Sequence, residues 1–292
     1  MKTIALIGAN GQLACDILRV FNKRAWRIYP FFHKDIEIKD SKSVARCLSK
    51  RKVDIVINTA AYHNIDRCEE NPHEAFAVNA VGVHNLSAWC QQHNSTLVHF
   101  STDYVFGLSV LRRTPYQEEN PVGPLNVYGT SKAAGESFVQ AIVTKHFLIR
   151  TSGLFGITGS SVKGENFIDT IIHQAQKKQR MRIVSDQILS PTYTKNLAEN
   201  LEVLLKTNQF GLYHMVSHGQ CSWYELAKTV LSYMKLTTFI APISTKMRTS
   251  TTPRPLYSAL STKKLHRLGI DRMNTWQDNV KLYLREKGYL YL

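Results

Sequence analysis

The strongest constraint on the fold lies at the start of the chain. An apolar run, KTIALI at 2–7, breaks at Gly8 into GANGQLA and continues as a helix-like stretch over 12–23. A strand that turns at once into a helix needs small residues at fixed offsets. Gly8 permits the tight turn, Gly11 lets the backbone approach a ligand, and Ala14 lets the helix pack close to the strand. The free N–H groups of the helix's first turn then face whatever lies above the loop, and a pyrophosphate suits them. The glycine pattern occurs in the strand–turn–helix setting it requires, so the spacing predicts a dinucleotide-binding unit.

The following segments extend that unit. Strand-like runs at 26–32, 53–58, 96–102 and 147–152 alternate with helix-like runs at 41–51, 72–93 and 128–144. Asp40 or Ser41 caps the second helix, and Pro30 weakens the second strand. Short apolar strands alternating with helices predict a parallel sheet covered on both faces, a Rossmann-type doubly wound α/β fold. Beyond residue 150 the pattern loosens, with helices expected near 167–178, 195–206, 222–234 and 275–287 and a Ser/Thr/Pro-rich loop at 244–255. The expected organisation is a dinucleotide domain over 1–150 and a smaller α+β substrate domain over 151–292, with some segments returning to the first domain.

Bulk properties narrow the function. The chain has 292 residues, enough for a sizeable core, and its 43% hydrophobic and 20% charged content is that of a globular protein. No apolar run is long enough to cross a bilayer, so no membrane partner is expected. The opening MKTIALIGANG starts like a signal peptide, but glycine and asparagine interrupt it, and a cytoplasmic protein is expected. Five scattered cysteines without a CxxC pair point to reduced thiols. His214 and His218 stand four apart in a strand-like stretch and would not share a helical face, so no metal site is expected. The net charge of +15 is dispersed, and its densest group, KKQRMR at 177–182, belongs to no nucleic-acid module. A basic surface with a preference for anionic or phosphorylated small molecules is the expectation, not specific nucleic-acid binding.

The second strand-like run ends in Phe31 and Phe32 with no carboxylate to hold the ribose hydroxyls, and His33 and Lys34 follow. Two potential cations there favour NADPH, whose extra phosphate they would meet, with NADH as the alternative. Downstream, STDYVFG at 101–107 follows a strand, and in a parallel sheet ligands bind at the carboxyl ends of strands. Tyr128 and Lys132 stand four apart on one helical face. Together these supply what a ketone reductase needs. The Thr102 hydroxyl can polarise a carbonyl, Tyr128 can protonate the oxygen as hydride arrives, and Lys132 can lower the tyrosine's pKa from ~10 and orient the nicotinamide ribose. A YxxxK pair alone recurs by chance. Its occurrence after a glycine loop and a strand-end Ser-Thr, in this order, points to the chemistry.

These segments resemble the extended short-chain dehydrogenase/reductases, and within them the dTDP-4-dehydrorhamnose reductase family. The similarity runs through GANGQLA, NTAAY at 58–62, CEENPHEAFAVNAVG at 68–82, STDYVFG, YGTSKAAGE, RTS at 150–152, ENF at 165–167, SDQILSPTYT at 185–194 and RPLYSAL at 254–260. The resemblance implies NAD(P)H-dependent reduction of the C4 ketone of a nucleotide-diphospho-sugar, with Thr102, Tyr128 and Lys132 catalytic. It also implies that Gly8, Gly11, Gln12, Leu13, Ala60, Ala61 and Tyr62 line the dinucleotide, and that Asp103, Tyr104, Asn166 and Phe167 hold the substrate. A homodimer is among the assemblies it allows. Two other activities sit on related scaffolds: a non-catalytic dinucleotide-binding subunit like the regulatory subunit of methionine adenosyltransferase, and a sugar-nucleotide epimerase. The sequence also departs from the family pattern. Gly153 replaces a tryptophan after RTS, Leu189 stands where glycine is usual, His63 and Asn64 follow NTAAY, and Cys15 replaces an acidic residue used in some members for a metal-bridged dimer. The missing tryptophan predicts a sugar pocket that is wider or closed by another side chain.

Overall fold

The computed structural model describes residues 1–159 and 164–290. Its centre is a six-stranded parallel sheet formed by β1 (Lys2–Ile7), β2 (Trp26–Phe31), β3 (Ile55–Asn58), β4 (Thr96–Thr102), β5 (His146–Thr151) and a late strand, Gly211–His214. Between them run α1 (Gln12–Val20), α2 (Ser41–Leu48), α3 (Ile65–Glu70), α4 (Pro72–Phe76), α5 (Gly82–Gln92) and α6 (Val127–Ile142). Strand alternation sorts the core onto two faces. Ile4 and Leu6 pack with Leu13, Ile17, Leu197 and Leu201, whereas Ala5 and Ile7 pack with Val44, Leu48, Leu86 and Val139. The sheet order is β2-β1-β3-β4-β5 followed by the late strand. The chain moves from β1 outward to β2 and then returns to pair β3 on the other side of β1, so the topological switch lies between β1 and β3.

Pro30 is tolerated because β2 is an edge strand, where one row of backbone groups has no partner strand. Asp40 is the cap of α2, accepting from the N–H groups of Lys42 and Ser43. The helix expected over 72–93 is finer in detail: α4 and α5 are joined by a π-helical stretch, Ala77–Val81. The short α3 was not anticipated, since six residues carry too little periodicity to register.

The second half supplies β6 (Leu154–Phe155), α7 (Phe167–Gln176), β7 (Met181–Val184), β8 (Ile188–Leu189), β9 (Thr192–Tyr193), α8 (Thr194–Leu204), β10 (the sheet strand Gly211–His214), β11 (Cys221–Ser222), α9 (Trp223–Tyr233), β12 (Ile240–Ile243), α10 (Lys263–Arg267) and α11 (Trp276–Glu286). Helices α8 and α1 pack together, so α8 and β10 complete the sheet layer. A separate apolar cluster, including Ile168, Ile172, Leu226, Val230, Tyr283 and Leu284, binds α7, α9 and α11 to each other. Among the described residues, no helix is long and apolar enough to cross a membrane, and no cluster of His, Cys, Asp and Glu could hold a metal ion.

Candidate active site

The carboxyl ends of the parallel strands share one edge of the sheet, and Gly8, Ala60, Thr102 and Asp103 lie at or just after the ends of β1, β3 and β4 there. Gly8 follows β1 with φ +77°, and a Cβ there would lie 2.8 Å from the Ala60 backbone nitrogen. Only glycine lets the loops after β1 and β3 approach this closely. The N-cap of α1 is Gly11, with no side-chain cap and no acidic residue in the first turn, so this helix end offers its N–H groups to an anion. The buried Oε1 of Gln12 has no hydrogen-bond partner. An uncapped helix start, a loop too tight for a Cβ and an orphaned polar atom together fit a dinucleotide pyrophosphate.

Gly8 and Ala9 donate to the Phe31 carbonyl, which places the end of β2 beside the glycine loop. His33 and Lys34 follow as exposed residues, with His33 Nε2 3.4 Å from the Glu37 carboxylate. On the other side of the loop, Ala60, Ala61 and Tyr62 leave β3. Tyr62 is held by Asn79, whose amide accepts from the Tyr62 N–H at 2.9 Å and donates to its carbonyl at 2.9 Å. Asn79 belongs to the π-helical stretch, a local widening often found at functional sites.

Asn126 caps α6, accepting from the Gly129 N–H at 2.8 Å, and its amide donates to the Pro253 carbonyl at 2.9 Å. One residue therefore fixes both the start of the Tyr128/Lys132 helix and the 244–255 loop. Tyr128 stands edge-on to Tyr104, with ring centroids 5.9 Å apart. Burial pushes the Tyr128 phenol well above its ordinary pKa, and a hydrogen bond with the Thr102 side chain offsets part of the shift. The lowering expected from Lys132 is not seen. The Lys132 side-chain nitrogen instead reaches beneath the strand ends, 2.6 Å from the Phe100 carbonyl and 3.2 Å from His99 Nε2. Burial brings its pKa down to about 8, against the opposing pull of Glu136.

The Asp103 carboxylate, only 3% exposed, accepts from Thr102 at 3.1 Å, from Ser152 at 2.8 Å and from Ser258 at 2.6 Å. Burial raises its pKa, and these three hydroxyls oppose the rise, Ser258 most. It joins the ends of β4 and β5 to the C-terminal segment and fixes the Thr102 hydroxyl. Beside Tyr104 lie Arg254 and Arg248. Arg254 stands 3.4 Å from both oxygens of the half-exposed Asp66, and its buried Nε has no hydrogen-bond partner. Burial, then the neighbouring Arg254, lowers the Arg248 pKa. Two guanidiniums with one shared carboxylate leave this edge of the site positive.

Asn166 and Phe167 lie at the start of α7. The Asn166 oxygen caps the helix at Ile168 and Asp169, while its amide nitrogen donates to the Gly156 carbonyl and to the Tyr283 hydroxyl. Its side chain is thus committed to holding α7 against α11, and Phe167 packs on Trp223. Gly153 adopts φ +53°, and a Cβ there would lie 2.7 Å from Leu189 Cδ1. The two departures at 153 and 189 are therefore one local change, in which Leu189 takes the space beside the glycine.

Sequence reasoning passed over Asn58, Asn79, His99 and Asn126. Asn58 and His99 had a readable signal, since a polar residue in an apolar central strand requires a buried partner. Asn126 had another, as a capping residue before a helix. Nothing in the sequence marks the π-helical stretch.

Comparison with known proteins agrees with this fold. The family model described as RmlD substrate binding domain matches residues 1–288. The spore coat polysaccharide biosynthesis protein SpsK of Bacillus subtilis is 35% identical over 288 residues, covering 99% of this chain and 99% of that protein. A dTDP-4-dehydrorhamnose reductase of Mycolicibacterium smegmatis is 30% identical, covering 95% of this chain and 83% of its own length. Among solved structures, a dTDP-4-dehydrorhamnose reductase from Bacillus anthracis in complex with NADP superposes with a TM-score of 0.92 at 34% identity, covering 98% of this chain and 100% of that one.

Proposed function

The chain belongs to the dTDP-4-dehydrorhamnose reductase family, and from that premise we propose that it reduces the C4 ketone of a nucleotide-linked 4-keto-6-deoxy sugar. NADPH would supply the hydride to C4. The observation that carries this reading is that Thr102, paired with Tyr128, and the glycine loop lie at the carboxyl ends of β4 and β1, with only β3 between them.

The chain's own residues divide the work. The first turn of α1, with Gly8, Gly11, Gln12 and Leu13, holds the pyrophosphate; His33 and Lys34 meet the 2′-phosphate; and Ala60, Ala61 and Tyr62 line the opposite wall. The Thr102 hydroxyl has one proton, given to Asp103 here, and would turn it to the carbonyl oxygen once substrate binds. Tyr128 gives its proton to that oxygen as negative charge develops there, and its raised pKa keeps the proton in place until then. As an ammonium, Lys132 on the same helical face favours the phenolate that remains. Tyr104 contacts the sugar, while Arg248 and Arg254 attract the nucleotide diphosphate. Asp103 acts through Thr102, because its oxygens already serve three hydroxyls. A cytoplasmic location belongs to the same proposal, supported by five free cysteines, four of them buried.

The test is NADPH oxidation with a panel of 4-keto-6-deoxy sugar nucleotides. Turnover with at least one is expected. Tyr128→Phe should lower it by about 10²- to 10⁴-fold with cofactor binding retained. Full turnover in that variant, or none across the panel with wild type, would overturn the assignment.

A further inference from the structure

Behind Lys132 lies a short buried chain of polar groups that the reaction does not explain. His99 is fully buried in the middle of β4, with Nδ1 3.1 Å from the Asn58 amide nitrogen and Nε2 3.2 Å from Lys132 Nζ. The direction of each bond follows from one fixed donor. The Ala60 backbone N–H donates to Asn58 Oδ1 at 3.1 Å, so the oxygen of that amide must face Ala60 and its NH2 must face His99. His99 Nδ1 is then an acceptor and carries no proton. A neutral imidazole has one N–H, which must sit on Nε2, pointing at Lys132. Turning the ring over would set carbons against both polar partners. An ammonium has no lone pair to accept that N–H, whereas a neutral amine has one and can still donate to the Phe100 carbonyl at 2.6 Å.

The geometry points to His99 as a positioning residue that, fixed in its Nε2–H tautomer by Asn58, docks Lys132 as a neutral amine, so that binding the dinucleotide takes up a proton from solvent. The inference rests on the dinucleotide reading of the glycine loop. Ribose hydroxyls offer acceptors, which suit an ammonium, and the His99 N–H does not. Moving Nζ from one to the other is therefore coupled to its protonation. The groups around Lys132 are consistent with this. Tyr128 and Glu136 share its helix, but Glu136 is bound by Arg150 of β5 through bonds of 2.8 and 2.7 Å. β4 contributes His99, whose own pKa is held far below its ordinary value by burial and then by Lys132. The turn after β4 contributes Asp103 and Tyr104, both raised by burial. Cys68 of α3 is pushed up to about 12, and α3 also carries Asp66, Arg67, Glu69 and Glu70. Helix α4 carries His73 and Glu74, and α5 carries His84. The docked Lys132 itself titrates at about 8.

The experiment is titration calorimetry of the whole chain with NADP⁺ in buffers of different ionisation enthalpy. At about pH 9, uptake should approach about one proton per site, and affinity should weaken about tenfold per pH unit above that titration. By about pH 6.5 the uptake should fall toward zero. Asn58→Asp presents an oxygen to Nδ1, reverses the tautomer and turns Nε2 into an acceptor, so its uptake at about pH 9 should collapse. Nitrogen-15 NMR of the wild-type imidazole gives an answer that needs no variant, with the Nε2–H tautomer expected. Binding without proton uptake, or an Nδ1–H or cationic His99, overturns the inference alone. Failure of NADP⁺ to bind overturns the functional reading as well.

Discussion

Substituting Gly153 by alanine, alone and together with Leu189→Ala, tests whether these two positions form one structural unit. At φ +53° an alanine carries left-handed strain of about 1–2 kcal/mol. Its Cβ would also lie 2.7 Å from Leu189 Cδ1 and 3.3 Å from Pro191 Cα. Such overpacking costs about 1–3 kcal/mol, which gives about 2–5 kcal/mol for the single variant. Leu189 is 4% exposed, and Leu189→Ala alone should lose about 2–5 kcal/mol. In the double variant the Cδ1 that causes the main overlap is absent, so the backbone strain, the cavity and the tighter approach to Pro191 Cα remain. The double variant should therefore be less destabilised than the sum of the singles by about 1–3 kcal/mol. Urea unfolding followed by tryptophan fluorescence measures all three. Additivity within about 0.5 kcal/mol would refute the steric pairing. The same reasoning forecasts that Gly153→Trp fails to restore the family's pocket unless Leu189 is shortened with it.

Other substitutions address other parts of the molecule. Gly8→Ala places a Cβ 2.8 Å from the Ala60 nitrogen, so it should weaken NADPH binding at least about tenfold, a cost of at least about 1.4 kcal/mol, read by fluorescence titration. Lys34→Ala should weaken NADPH but leave NADH unchanged, and an equal loss for both cofactors would reject contact with the 2′-phosphate. His218 Nε2 lies 3.0 Å from Asp271, whose hydrogen bond raises the histidine's pKa against the lowering effect of burial. That contribution is fully present below about pH 6.5 and fades as the pH rises through the higher folded value. Asp271 is held below its ordinary value, so its share is lost in strong acid. With His218 half-exposed, His218→Gln should cost under about 1 kcal/mol near pH 5.5 and nothing near pH 8.5, checked by melting temperature.

The sequence by itself determined the alternation of strands and helices, the glycine loop, and the Tyr128/Lys132 helix, because each of these is written in local periodicity or in residues a few positions apart. It also carried the Asp40 cap and the odd residues at 153 and 189. Only the tertiary structure decided what those residues do to one another. Leu189 meets Gly153 across 36 positions of chain, Ser258 reaches Asp103 across 155, and Asn126 ties Pro253 to the catalytic helix across 127. Proximity of that kind depends on how layers pack, and no local pattern encodes it. The same limit explains Asn166, where a motif suggested a ligand contact and packing of α7 against α11 uses the side chain as a cap. It explains Lys132 too. Spacing of four places a lysine on the tyrosine's helical face, but the direction of its amine is set by His99 and the Phe100 carbonyl on a neighbouring strand.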